Sequence, residues 1–356
     1  MEVDWGTILR QIKDEKCILF IGPNSVLKEP GVLYHQELLN SPVFSKNEEY
    51  KYIERDEMFL LFKKSKKGKL VSDFLSYCDM NKYYEDIYVK LAKIPFHAIV
   101  IATRYPFLKD VFDKEFIPYQ FAWFSKIPVI EQKKNDFRLS KKKPLIYNLF
   151  GNFKNDESLL LTHSDLFDYL KRILVEGPPD YLASAVRSSR QIIFLGFNFE
   201  RWYVQLLMRI FNLNSSDAEF ERLSTSYESE EDIMKICTTD FNINFISHNI
   251  DSFVNDLYEK CQDDNILRKP TNENNLKNML KELLEENEFD QVFDKLKNLT
   301  KNKSDLENTV SLLVSDYNNA AEDYYKINKK EIDFNDERIR QTRISILSLI
   351  DEIFNN

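Results

Sequence analysis

Four short apolar runs mark the first part of the chain: Cys17 to Ile21 (CILFI), His97 to Ala102 (HAIVIA), Pro144 to Phe150 (PLIYNLF) and Gln191 to Leu195 (QIIFL). Each has the length and the β-branched or aromatic content of a strand buried on both faces of a parallel sheet. Three of them lead directly into glycine, at Gly22, Gly151 and Gly196, in a chain that has only seven glycines. A glycine after such a strand lets a phosphate or ribose approach the main chain. The remaining run leads into Thr103-Arg104-Tyr105-Pro106. Thr162 followed three residues on by Asp165 predicts a capped helix start, and Asn244 to Ser247 predicts a last strand. Phe253, Val254 and Leu257 then predict a closing helix. Residues 28–90 are rich in aromatics and read as mostly helical, a cover inserted beside the first glycine loop.

The pattern changes after Asp263 to Asn275, a polar stretch interrupted by Pro270, and a domain boundary is expected there, between 1–265 and 272–356. Beyond it the apolar positions follow helical spacing: Leu276, Met279, Leu280, Leu283 and Leu284, then Phe289, Val292, Phe293, Leu296 and Leu299. Ser304 with Glu307 has the form of a capping box ahead of Leu306, Val310, Leu313, Val314 and Tyr317. Asn335 is placed to cap a final helix carrying Ile339, Ile346, Leu347, Ile350, Ile353 and Phe354. The expected architecture is α/β: a Rossmann-like parallel sheet with a helical insertion, followed by a small all-α helical bundle.

Composition narrows the chemistry. The chain is 43% hydrophobic and 30% charged with a formal net charge of -9, which fits a globular protein and argues against wrapping nucleic acid. Two local basic clusters, Lys63 to Lys69 and Lys141 to Lys143, lack interleaved aromatics for stacking bases and read as solvated loops. The four cysteines, Cys17, Cys78, Cys237 and Cys261, are scattered singly, without C-x-x-C spacing, so neither a metal site nor a redox disulfide is expected. No apolar run approaches the roughly 18 residues that span a bilayer, and the first residues lack a leader pattern, so a cytoplasmic address is expected. Phosphate-loop, nucleophile-elbow and zinc-helix motifs are all missing from the sequence.

Taken in order, the strand ends resemble the SIR2-like family, sirtuin-type Rossmann domains that occur as NAD-cleaving effectors in bacterial antiphage systems. That family has a strand and G-A-G-x-S, then T-T-N-Y-D, then L-H-G, then G-x-S/N-x-x-D. The corresponding residues are Gly22-Pro23-Asn24-Ser25, then Ala102-Thr103-Arg104-Tyr105-Pro106, then Leu149-Phe150-Gly151, then Gly196-Phe197-Asn198-Phe199-Glu200. Leu159 to Leu170, LLLTHSDLFDYL, is similar to the family's apolar run, Thr and D-Y helix. The tail resembles effector-associated domain 11, a helical adaptor, in Glu288 to Leu296, Tyr317-Asn318, Arg338-Ile339-Arg340 and Ser345 to Ile353. The resemblance implies a protein partner carrying a matching domain, and a homo-oligomer.

The departures bear on function. In the family, the Asn of T-T-N-Y-D orders water and ribose, and the His of L-H-G accepts a proton; here those positions are Arg104 and Phe150. A guanidinium stays protonated and a phenyl ring has no proton to exchange, so the usual mechanism loses its base. Pro23 offers no N–H to a phosphate and the second loop glycine is Asn24, which weakens the nucleotide cradle. If NAD or a related nucleotide still binds, the resemblance assigns Gly22, Asn24, Ser25, Arg104, Gly151, Gly196, Asn198 and Glu200 to its site. His97 reads as a core or strand-edge histidine, His163 as an exposed first-turn residue, and His35 and His248 as loop residues without partners. Glu200 reads more readily as a helix cap than as a base. Two functions stay open: a catalytically inactive sensor, scaffold or adaptor, and an NAD glycohydrolase using a divergent set around Arg104, Asn148, Asn152 and Glu200.

Overall fold

The computed structural model describes residues 3–81, 83–105, 107–124, 137–152, 158–213, 221–225, 231–269, 273–301, 303–328, 334 and 336–355. The chain divides into two compact units, one of residues 1–109 and 119–268, the other of 110–118 and 269–356.

The first unit opens with helix α1 (Trp5–Lys13), held at its start by the Asp4 carboxylate, which accepts from the Thr7 amide. It leads into β1 (Cys17–Ile21), which matches the first apolar run residue for residue. The cover that follows is not mostly helical. It holds β2 (Leu27–Glu29) and β3 (Val32–Leu33), helices α2 (Tyr34–Asn40) and α3 (Pro42–Ser45), the hairpin β4 (Tyr50–Ile53) and β5 (Met58–Leu61), and helices α4 (Lys67–Met80) and α5 (Asp86–Lys93). Alternation of buried and exposed residues along Tyr50-Lys51-Tyr52 is a strand period of two, which the aromatic content masked. Lys64 to Lys66 form a 3-10 turn and Lys67 opens α4, so the first basic cluster is ordered; Lys66 and Lys69 pair with Glu49, and Lys67 pairs with Asp165 at 2.5 Å.

The rest of the first unit alternates strand and helix: β6 (Ala98–Ile101), α6 (Phe107–Lys114), β7 (Gln120–Trp123), β8 (Leu145–Asn148), α7 (His163–Glu176), α8 (Asp180–Ser188), β9 (Gln191–Leu195), α9 (Trp202–Ile210), β10 (Glu221–Thr225), α10 (Glu231–Phe241), β11 (Ile243–Ile246) and α11 (Ile250–Asp263). Residues 110–118, the larger part of α6 and the segment after it, belong to the second unit. The sheet has seven strands in the order β11-β10-β9-β1-β6-β8-β7, with every pairing parallel. Strands β1, β6, β8 and β9 are buried along their whole length, as continuous apolar runs predict. After β1 the chain builds one side of the sheet and then returns through β9 to build the other. The order therefore reverses beside β1, and the C-terminal edge there is where open α/β sheets place ligands.

The second unit gathers α12 (Glu273–Glu285), α13 (Phe289–Thr300), α14 (Ser304–Asn328) and α15 (Glu337–Asn355) with residues 110–118. The predicted stripe is its core: Leu280, Val292, Leu296, Val310, Ile339, Ile346 and Ile350 are fully buried. Phe289 stacks on Tyr317 at 4.6 Å. Helix α14 begins at Ser304 itself, so Ser304 stands in the first turn and not at the cap expected for it. Asn335, the expected cap of α15, lies outside the described residues. Within this unit the Lys295 ammonium donates to Asp113 at 2.8 Å, with side chains 0% and 4% exposed.

Candidate functional site

The ends of β1 and β9 fix the first part of the site. The Gly22 amide donates to the Leu195 carbonyl at 2.7 Å and the Asn24 amide to the Gly196 carbonyl at 2.9 Å, so the two loops are bonded backbone to backbone. A Cβ on Gly22 would lie 2.4 Å from the Gly196 carbonyl oxygen, and one on Gly196, whose φ is +65°, would lie 2.2 Å from the Ser25 amide nitrogen. Gly151, at φ +96°, has its open side 2.2 Å from the Ser158 carbonyl oxygen. At all three glycines, the face that a side chain would occupy meets the protein's own main chain. Pro23 to Ser25 wind into a 3-10 turn, and the Ser25 hydroxyl donates to the Gly22 carbonyl at 2.6 Å. Asn24 is buried at 2% exposure, and its Nδ2 has no hydrogen-bond partner among the described residues.

Arg104 and Phe150 come from the ends of β6 and β8, neighbouring strands, and the register places them together. The Arg104 guanidinium lies 5.4 Å from the Phe150 ring centroid, donates from Nε to the Leu160 carbonyl at 2.8 Å, and reaches the Met58 sulfur at 3.2 Å. Phe150 belongs to the sheet's core and makes edge contacts with Tyr169 and Tyr203. No group at this pair exchanges a proton near neutral pH.

The β4–β5 turn supplies the third part, which the sequence reading missed. Glu57 is 2% exposed and adopts a left-handed φ of 52°, which turns its carboxylate inward. One oxygen is 3.3 Å from Arg201, the other 4.0 Å from Arg104. Arg201 also donates to the Glu54 carbonyl at 3.0 Å, and the neighbouring Asp56 pairs with His163 at 3.0 Å. Burial, with the Glu57 charge next in effect, pushes the Tyr52 and Tyr203 phenols well above the ordinary tyrosine range. Arg201 directly follows the Gly196 to Glu200 motif and was legible as a candidate on that ground. Glu57 carried no signal, because a buried carboxylate in a left-handed turn has no motif.

Between these parts is a cavity of about 20 Å³ lined by Pro23, Ala102, Phe150, Phe197, Asn198, Arg201 and Tyr203, among others. That is room for about one water molecule, far below the several hundred Å³ of a small-molecule site. Asn198 is at its edge, with Oδ1 accepting from the Glu200 amide at 3.1 Å. Glu200 is exposed and precedes Arg201, the cap residue of α9, so it stands outside the helix that it was expected to cap. Asn148 is buried and accepts from the Phe150 amide at 2.9 Å, while the Asn152 amide donates to the Ser158 hydroxyl at 2.9 Å. The proposed divergent set is therefore split between a buried bracket of the β8 turn and an exposed carboxylate.

The histidines are all placed. Thr162 and Asp165 form a complete capping box on α7, and His163, in its first turn, bonds Asp56. His35 is buried on α2, and burial lowers its pKa, so it is no loop residue. His248 is 3.6 Å from Asp256 and packs edge-on to Trp5, so it does have a partner. His97 is 5% exposed, and burial lowers it to about 4.

Three of the four strand ends, at Arg104, Phe150 and Gly196, fall within a match to a known family. Residues 100–246 match the SIR2-like domain. The chain carries a SIR2-like domain. The match begins at β6, so the Gly22 loop and the 28–90 cover lie ahead of it. Residues 275–354 match effector-associated domain 11, which here is the bundle of α12–α15. No curated protein matches this chain. The four cysteines are buried and form no disulfide, and among the described residues no group of His, Cys, Asp or Glu could hold a metal ion and no helix is long and apolar enough to cross a membrane.

Proposed function

We propose that this protein is a catalytically silent SIR2-like module of a bacterial antiphage defence system, acting as sensor, scaffold or adaptor and recruiting a protein partner with a matching domain through its effector-associated domain 11. The observation that carries this reading is the Arg104–Phe150 pair, which fills the family's Asn and His positions with a buried cation on a buried ring, 5.4 Å apart. A base with a pKa near 7 is what proton abstraction from ribose or water requires, and neither residue supplies one. The small apolar cavity and the glycine faces spent on main-chain packing support the same reading. Weakened binding of NAD or a related nucleotide, an oligomeric assembly and a cytoplasmic site of action belong to this proposal.

The test is NAD consumption and nicotinamide release by the purified chain, alone and with the products of neighbouring genes, beside Arg104→Ala and Glu200→Ala. No turnover under any condition is expected. Turnover that both substitutions abolish would establish a divergent NAD glycohydrolase in place of the silent module.

A further inference from the structure

The parallel edge at β1 and β9 presents two arginines from different elements, Arg104 beyond β6 and Arg201 at the start of α9, with one buried carboxylate between them. That carboxylate does not come from the sheet. It comes from the turn of a hairpin inserted in the cover, where Glu57 holds a left-handed backbone that non-glycine residues seldom adopt. Such a conformation persists only where the surroundings over-determine it. Two guanidiniums lie 3.3 and 4.0 Å from separate oxygens of its carboxylate. Two arginines converging at the ligand edge of an α/β sheet are the arrangement that recognises a phosphate.

Two polar groups at this edge point the same way. The Arg201 Nε is buried without a hydrogen-bond partner among the described residues, and so is the Asn24 Nδ2, on a side chain that is 2% exposed. Both are donors, and buried donors are ordinarily paired. The site therefore holds more donor capacity than the single carboxylate of Glu57 satisfies.

We infer that Arg104 and Arg201 form a binding site for a phosphate-bearing small molecule, and that Glu57 occupies it as an internal anion, so that ligand entry and withdrawal of the β4–β5 turn are one event. A phosphate carries more charge and more acceptor oxygens than a carboxylate, and can satisfy the donors that Glu57 leaves. The Glu57 carboxylate itself stands between the two guanidiniums, so a phosphate reaches both only when the turn leaves. The inference concerns binding and stands whether or not the chain turns over NAD.

The experiment is calorimetric titration of the full chain with inorganic pyrophosphate and, separately, with ADP-ribose. Glu57→Ala is expected to bind at least one probe at least tenfold more tightly than the unaltered chain, and Arg104→Met with Arg201→Met added to Glu57→Ala is expected to remove that gain. Tighter binding of ADP-ribose than of pyrophosphate identifies a nucleotide as the source of the phosphate. Equal affinities for Glu57→Ala and the unaltered chain, or a gain that survives loss of both arginines, would overturn the inference. Because Glu57→Ala leaves two buried cations, hydrogen exchange of the unaltered chain at saturating probe gives a second reading. Amides of residues 50–61 should exchange faster with probe bound, and unchanged or slower exchange there sinks the proposal even if the variant does not fold.

Discussion

The Arg104 guanidinium lies 5.4 Å from the centroid of the Phe150 ring, both side chains being almost completely buried. A desolvated cation over a ring is worth about 2 kcal/mol, and the ring also fills core volume between Tyr169 and Tyr203. Phe150→Ala is therefore expected to destabilise the first unit by about 3–5 kcal/mol, as large-to-small core changes do. Urea denaturation followed by tryptophan fluorescence measures this; a loss below about 1 kcal/mol would show that the ring is not a structural plug.

The glycine pair at β1 and β9 predicts an asymmetry of cause with a common result. Gly22→Ala meets the Gly196 carbonyl at 2.4 Å with an ordinary backbone, whereas Gly196→Ala adds the strain of φ +65° to a contact of 2.2 Å. Both should lower stability, Gly196→Ala by at least about 1–3 kcal/mol more than an exposed Gly→Ala control. Thermal melts of the three variants decide it. A control-like melt for Gly22→Ala would mean that the two loops separate readily.

The Lys295–Asp113 pair, at 2.8 Å and out of water, belongs to the second unit. Lys295→Met takes the cation away from a buried carboxylate and should cost about 3–5 kcal/mol, while Lys295→Met with Asp113→Leu should recover most of that loss. A double variant as unstable as the single would show that the pair is held for packing and not for charge compensation.

His97 gives a pH dependence. Burial holds its folded pKa at about 4, below the ordinary value of about 6.5 in the unfolded chain, so the unfolded state takes up the proton first as pH falls. The contribution of His97 is intact above about pH 6.5, and stability falls as pH drops from there towards 4. The size is at most about 3 kcal/mol across that window. Denaturation of the unaltered chain and of His97→Phe at pH 7 and pH 4.5 isolates it, since the other titrating groups are common to both. Identical pH slopes would show that His97 is solvated.

The sequence by itself determined the parallel strands, because a strand covered on both faces must be apolar throughout, and β1 and β9 match their runs residue for residue. It determined the bundle core for a similar reason: helical periodicity from Leu276 to Phe354 leaves one apolar stripe, and burial of that stripe is the only way to remove it from water. It also put Arg104 and Phe150 where the resemblance expects Asn and His, which is a matter of residue type alone. Tertiary structure decided what those altered positions do. That Gly22 opens onto the main chain of Gly196, and Gly196 onto that of Asn24 and Ser25, and that α6 ends within the second unit, depends on where the ends of distant elements meet. Above all, Glu57 lies in a segment whose aromatics concealed a hairpin, and only its left-handed turn aims the carboxylate at Arg104 and Arg201. A charge has no periodicity to read, and its partners 47 and 144 residues away are chosen by the fold.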